Sequence, residues 1–523
     1  MVACLSHIPE DVLLQIFSFL VDEDPPKMVH HRYERRRSLG WIRVTHVCRS
    51  WRELALANSS LWVRIEPDIT MDWLSEMLSR SNPRAVKADL SLDTTDPNVT
   101  VDVLGNHSRR LSQLDIHIDR VTNFDDWADF VAHPSPLLES LVLRFAEGSD
   151  DLDVDPEYIL TTVSHPRLRR LTMHVNFQPP CDAQVLQNLV HLEIVGANDY
   201  DKRPFVDLLI PILEDTPQLQ TLILECFVPP DADIWKNNTF DEFLRHRRVP
   251  LLHLRRLVLH SESSGVPLLL RQVDIPTSAG ISLCLGRPFH PSWLFIPRLL
   301  PWGTDALNHR PDGHFEQFDL DLGYEMRFNM TNKSDCPTSR LDITCVAKEF
   351  DMNCLNDFLK AFYMQGYFKH ISSLTVTPQS PPVMDFRGVD KLLALPGMAK
   401  LQKLHLSMSA LILDLTACRN TLYLLGQLVP ASQDDHGPLR LPALRHLVLH
   451  RWGPPGFGSL GLAFQAMRKF EDFMVAFFKV RQARGYPLFQ FTAISSDDVE
   501  ELTARVEQFL GHPSLGDHSS SES

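Results

Sequence analysis

The chain has 523 residues, 44% of them hydrophobic, and sets 51 Lys and Arg against 66 Asp and Glu for a formal charge of −15. That length admits several average domains or one long repeat array, while the acidic balance opposes whole-surface attraction to nucleic acid or an anionic membrane. The longest apolar windows fall short of the roughly 18 uninterrupted residues that a membrane span requires, so the expectation is a soluble protein, cytoplasmic and/or nuclear, with no nucleic-acid or membrane partner.

The first element is "IPEDVLLQIFSFL", residues 8–20. Pro9 at the first helical position, with Glu10 and Asp11 in the first turn, signals a helix start. No basic segment precedes it, and Glu10, Asp11 and Gln15 interrupt its apolar run, so it does not read as a signal peptide. Its apolar residues, among them Val12, Leu13, Ile16, Phe17, Phe19 and Leu20, sweep more than half of the circumference. A surface helix normally shows a stripe of roughly 100°, so this one carries more apolar surface than its own core needs. The polar, proline-bearing stretch 21–40 reads as a loop, and its basic run at 30–37 as either a solvated segment or a nuclear import or phosphate-binding patch. A second helical stretch follows, in which Val44, Val47, Trp51, Leu54 and Ala55 recur at spacings of three and four, with Leu61 and Trp62 after the "NSS" break.

From about residue 80 one pattern keeps returning, L-x-x-L-x-L after a polar or helical stretch. It appears as "RRLSQLDIHI", "PLLESLVLRF", "PRLRRLTMHV", "LQNLVHLEIV", "PQLQTLILEC" and "LHLRRLVLHS", and later as "HISSLTVTP", "AKLQKLHLSM" and "PALRHLVLHR". The markers Leu114, Leu141, Leu171, Leu192, Leu222 and Leu257 come at steps of 21 to 35 residues, reaching or exceeding the range of roughly 20 to 29 expected of leucine-rich repeats. The x-L-x-L part alternates as a short strand with both leucines inward, the leading leucine comes from the turn before it, and stacked strands form a parallel sheet. Exposed residues between the leucines, such as Arg169, Arg170, Glu193 and Arg256, are candidates for contact with a partner. Residues 262–370 lack clear markers and read as degenerate repeats with a long Pro/Trp-rich loop. A helix, a strand over "YPLFQFTAIS" and a capped helix close the array, and the tail 511–523 reads as disordered.

Motifs for chemistry do not survive inspection. Gly456-x-Gly458-x-x-Gly461 mimics a dinucleotide loop but lacks the acid that ends the next strand. Asp151-x-Asp153-x-Asp155 starts like a calcium loop, yet Pro156 and Thr162 stand where the glycine and the bidentate Glu belong. Nine cysteines, no two closer than nine residues, support neither a metal site nor a disulfide framework. The expectation is no catalytic residue, no cofactor and no metal.

Residues 5–62 carry a specific order of features. Ile8, Pro9, Glu10, Val12, Leu13, Ile16, Phe17 and Leu20 come first; Val47, Cys48, Trp51, Leu54, Leu61 and Trp62 follow in a V-C-x-x-W block with a closing L-W. This resembles the F-box. The stretch 21–40 is longer than in compact F-boxes and resembles the insertions of F-box-like families of mushroom-forming fungi, which also carry irregular leucine-rich arrays. The fold expected is α+β to α/β: a small all-α, three-helix F-box over 1–66 with a loop insertion at 21–40, then an irregular leucine-rich-repeat α/β solenoid with a parallel concave sheet over 67–510. The resemblance implies a non-catalytic adaptor whose fourteen named residues dock a Skp-type adaptor of a cullin-RING ubiquitin ligase, while the repeats hold an unknown protein target. The alternative is a leucine-rich interaction scaffold with no ligase role.

Overall fold

The computed structural model of the chain describes residues 8–31, 34–66, 70–91, 97–118, 134–145, 165–175, 186–196, 206–227, 248–261, 265–286, 291–303, 315–322, 325–332, 340–346, 352–378, 387–407, 441–450, 475, 477–485 and 490–494. The chain forms two compact units, Met1–Leu254 and Arg255–Ser523. The dinucleotide-like glycines at 456–461, the acidic run at 151–155, the last predicted helix and the tail lie outside the described residues.

In the first unit, α1 runs Glu10–Glu23, with Glu10 and Asp11 in its first turn, and the Asp24 amide closes it by donating to the Leu20 carbonyl at 2.9 Å. The stretch read as a loop is instead largely regular structure: the end of α1 occupies its first residues, and β1 (Lys27–His31) pairs antiparallel with β2 (Glu34–Ser38) over five residue pairs. The N-terminal helical region is therefore not all-α. The hairpin escapes sequence reading because its strands are rich in Lys, His and Arg and lack the apolar alternation that marks a half-buried strand. The chain returns from it through Gly40, whose φ is +53° and whose missing Cβ leaves room for the Asp24 and Pro25 carbonyls. A 3₁₀ turn (Gly40–His46), α2 (Arg49–Ala57) and a second 3₁₀ turn (Ser59–Trp62) follow. The Asn58 side chain caps that last turn, accepting from the Ser60 amide at 3.1 Å.

The large sheet of this unit is built from β3 (Arg64–Ile65), β4 (Val86–Ser91), β5 (Leu111–Ile118), β6 (Ser140–Phe145), β7 (Arg170–Val175), β8 (His191–Gly196) and β9 (Thr221–Glu225). They lie side by side in chain order and every pair is parallel. Register puts Leu114, Leu141, Leu171, Leu192 and Leu222 in one row and Ile116, Leu143, Met173, Ile194 and Leu224 in a second. All ten are at most 4% exposed. Each leading leucine is fixed by a turn: the amides of Leu138, Leu168, Leu189 and Leu219 donate to the carbonyls three residues back, at 3.0 to 3.2 Å. Successive units are tied by shared acceptors; the Arg169 carbonyl takes both the Val190 and His191 amides, and the Val190 carbonyl takes those of Gln220 and Thr221. Burying each leucine contributes roughly 1.5–3 kcal/mol.

The second unit continues the same two-row logic. Its large sheet is built from β10 (Arg256–Ser261), β11 (Gly280–Leu285), β12 (Gln317–Leu322), β13 (Glu325–Thr331), β14 (Arg340–Val346), β15 (Ser373–Pro378), β16 (Lys403–Ser407), β17 (His446–His450) and β18 (Gln490–Ile494). Their order across the sheet is β10-β11-β14-β13-β12-β15-β16-β17-β18. Here the expectation of an all-parallel sheet needs correcting, because β13 runs antiparallel to both neighbours. The inward row nevertheless passes through the reversal, from Leu257 and Ile281 to Leu341, Met330 and Phe318, then to Leu374, Leu404 and Leu447. Aromatic and methionine side chains replace leucine in β12 and β13, which hides the marker in the stretch read as degenerate. The Pro/Trp-rich insertion is no surface loop over residues 291–303: Trp293 and Trp302 are buried, Trp302 meets Phe315 edge-on at 4.9 Å, and the buried Tyr367 hydroxyl donates to the Pro297 carbonyl at 3.0 Å.

Candidate functional site

Helical geometry divides the apolar arc of α1 in two. Leu13, Phe17 and Val21, spaced by four, point inward and are buried. Phe17 meets Trp51 of α2, and Trp41 meets Trp62 with ring centroids 4.9 Å apart. The Trp62 indole N–H donates to the Ala55 carbonyl at 2.9 Å, which satisfies a polar group in this small core. The other half of the arc has no cover. Val12 is 40%, Ile16 41% and Phe19 64% exposed, and their i, i+4, i+7 spacing sets them on one stripe. Val47 at 53% and Leu56 at 37% add exposed apolar surface from the second helical stretch.

The fourteen residues singled out from sequence thus separate by burial. Leu13, Phe17, Leu61 and Trp62 are core; Ile8, Leu20, Trp51 and Leu54 are half-buried; Pro9, Glu10, Val12, Ile16, Val47 and Cys48 are exposed. Cys48 precedes α2, and the Ser50 hydroxyl at 3.2 Å, then the Trp51 backbone amide, draw its thiol below the usual pKa. Phe19 and Leu56 were not among the fourteen, although the spacing of Phe19 from Val12 and Ile16 carries the signal. Residues 5–67 match the family model described as F-box-like. This chain carries an F-box-like domain. Among curated proteins none matches the chain.

Backbone and side-chain contacts join the F-box-like domain to the strand that follows it. Arg64–Ile65 pairs with Lys87–Ala88, the Arg80 guanidinium lies 4.7 Å over the Trp62 ring, and Arg84 Nε donates to Ser59 Oγ at 2.9 Å. Beside this junction a cleft of about 560 Å³ opens between the C-terminal half of α1 and the outward face of the sheet. Asp22, Arg64, Glu66, Lys87, Asp89 and Asp115 line it. Arg64 pairs with Asp22 at 3.6 Å and also with Glu66; Asp115 accepts from Arg144 at 2.8 Å. Burial, then the neighbouring Asp115 and Glu66 charges, pushes the Asp89 carboxyl up to about 6. The acids at 89 and 115 face each other in register, between inward-facing neighbours, a placement readable from "KADLSL" and "QLDIHI" once the strands are aligned.

Farther along the same outward face, Thr172 donates to Glu193 at 3.2 Å and His191 lies 3.5 Å from it. Of the four residues expected from sequence to contact a partner, Arg170 and Glu193 lie on this face, Arg169 sits in the turn before β7, and Arg256 opens β10. Among the described residues no group of His, Cys, Asp and Glu is arranged to hold a metal, and no helix is long and apolar enough to cross a membrane.

Proposed function

We propose that the chain is the substrate-recognition subunit of a Skp-cullin-F-box type ubiquitin ligase. The reading rests on one observation: a folded F-box-like core leaves Val12, Ile16, Phe19 and Val47 uncovered, an apolar surface of the kind that a partner's groove or helices cover. The Skp-type adaptor docks there, and the irregular leucine-rich array, taken to run from 67 to 510, holds a protein target on its polar outward face. Its contribution to catalysis is proximity, supplied by tethering rather than by residues of its own. The test is co-purification of a Skp-type adaptor with the intact chain and with a Val12→Asp/Ile16→Asp variant. Recovery with the intact chain and loss with the variant supports the reading; equal recovery, or none with the intact chain, rules it out.

A second reading, a leucine-rich scaffold without a ligase role, draws support from the contact of Arg80 with Trp62 and the pairing of β3 with β4, which suit helices that cap the first repeat. It expects the chain from residue 67 onward to unfold or aggregate when expressed alone. A soluble, cooperatively melting fragment argues against it.

A further inference from the structure

We propose that the cleft between α1 and the outward face of β4 and β5 is the pocket that receives a lysine or arginine side chain of the bound target. The inference rests on the reading of the array as a target-binding surface and names the chemistry of one contact on it.

Three features of the cleft converge on a basic side chain. The first is an electrostatic imbalance. Asp22, Glu66, Asp89 and Asp115 line it against Arg64 and Lys87. Arg64 is engaged by Asp22 and Glu66, and Asp115 by Arg144. Among the described residues Asp89 has neither an ion pair nor a side-chain hydrogen bond. It is a half-buried carboxyl with carboxylates as neighbours; burial first, then the Asp115 and Glu66 charges, raise its pKa against the opposing pull of Arg144 and Arg64.

The second feature is the mixed lining. Val21, Val63 and Val142 contribute apolar walls to the same cleft, while Ser60, Gln113 and Ser140 add polar groups. A lysine or arginine has an aliphatic stem that covers apolar surface and a charged head that needs acceptors. A bare metal ion uses only the acceptors, and no metal-competent cluster occurs among the described residues. A volume of about 560 Å³ also exceeds what an ion needs and suits a side chain with its flanking backbone.

The third feature is position. The cleft adjoins the C-terminal half of α1, whose exposed stripe is the proposed adaptor surface, so a target anchored here is held at the end of the array nearest the ligase. A guanidinium entering between Asp89 and Glu66 gains charge-assisted hydrogen bonds and relieves the repulsion among these carboxylates.

Selection of displayed short random peptides against the intact chain tests the inference, followed by titration of an enriched peptide. The expected result is enrichment of Lys or Arg at one position and an affinity that falls about tenfold or more both for Asp89→Asn and when the peptide's arginine is replaced by neutral citrulline. Asp89→Glu, which keeps the charge, retains most of the binding and separates recognition from any folding defect. Enriched peptides without a basic residue overturn the inference, as does equal affinity for Asp89→Asn or for the citrulline peptide, or competition by magnesium alone at equal strength. Adaptor co-purification measured in parallel separates the two readings. Intact adaptor binding without basic selection removes only the cleft, whereas Asp89-dependent peptide binding without adaptor removes only the ligase role.

Discussion

The Phe17 ring meets the Trp51 ring edge-on, with centroids 5.3 Å apart and planes inclined by 64°. This contact joins the inward half of α1 to α2, so the surface residues on both helices depend on it for their relative placement. Trp51→Ala is expected to cost about 2 kcal/mol or more in stability, and on the proposed ligase reading any loss of adaptor binding in this variant follows from that defect. Chemical denaturation of the variant, compared with the intact chain, measures the first effect directly.

Phe19 gives the opposite result. At 64% exposure it makes little contact with the chain's own core, and Phe19→Ser is expected to shift stability by no more than about 0.5 kcal/mol. Adaptor affinity falls about tenfold or more if the stripe is the docking surface. A calorimetric titration paired with a thermal melt reads both quantities, and unchanged affinity removes Phe19 from the interface. Leu13→Asp makes a poor substitute, because Leu13 is buried and its loss confounds folding with docking.

The leucine rows were legible because a period of two in the strand and a fixed turn before it leave a direct mark on the sequence. Leu168, Leu189 and Leu219 fall where L-x-x-L-x-L places them, each held by its turn. The mark fades where the same inward positions are filled by Phe318, Phe328 and Met330. The reversal at β13 did leave a local sign, since only Gly323 and Tyr324 separate β12 from β13, too few residues for a parallel crossover. The β1–β2 hairpin was illegible for another reason, since its strand residues are mostly polar. In the F-box-like domain the order of features that the family model matches was legible, but the division of its apolar residues into core and surface was not. Phe17 and Phe19 have the same side chain two residues apart, and only the packing of α1 against α2 decides that one is 0% and the other 64% exposed.

The rows predict where substitutions matter in the array. Leu222 is fully buried and pairs with Leu192 in the neighbouring strand, whereas Ile223 faces outward and is half-buried. Leu222→Ala is expected to cost about 2–5 kcal/mol through lost burial and the cavity left behind. Ile223→Ala is expected to cost less than half as much. Urea titrations of both variants check the contrast, and equal costs for the two place the inward face on the wrong side of β9.

Asp89 provides a pH signature independent of any partner. Its carboxyl lies at about 6 in the folded chain against 3.8 for an unperturbed Asp, so the folded state holds the proton more tightly than the unfolded state does. Above about pH 6 the ionised carboxylate destabilises the fold; as pH falls through 6 toward 4 that cost disappears, and below both values the two states bind the proton alike. The groups around it set the direction: Asp115 and Glu66 raise the value after burial, and Arg144 and Arg64 oppose them. A shift of this size corresponds to about 3 kcal/mol at full effect, and solvent screening at a half-exposed site reduces it to about 1 kcal/mol. Asp89→Asn is therefore expected to stabilise the chain by about 1 kcal/mol at pH 7.5 and to have almost no effect at pH 4. Parallel denaturation of the intact chain and the variant across that range reads the charge at position 89 together with its coupling to Asp115 and Glu66. A variant equally or less stable at pH 7.5 shows that the carboxylate is already neutralised within the cleft.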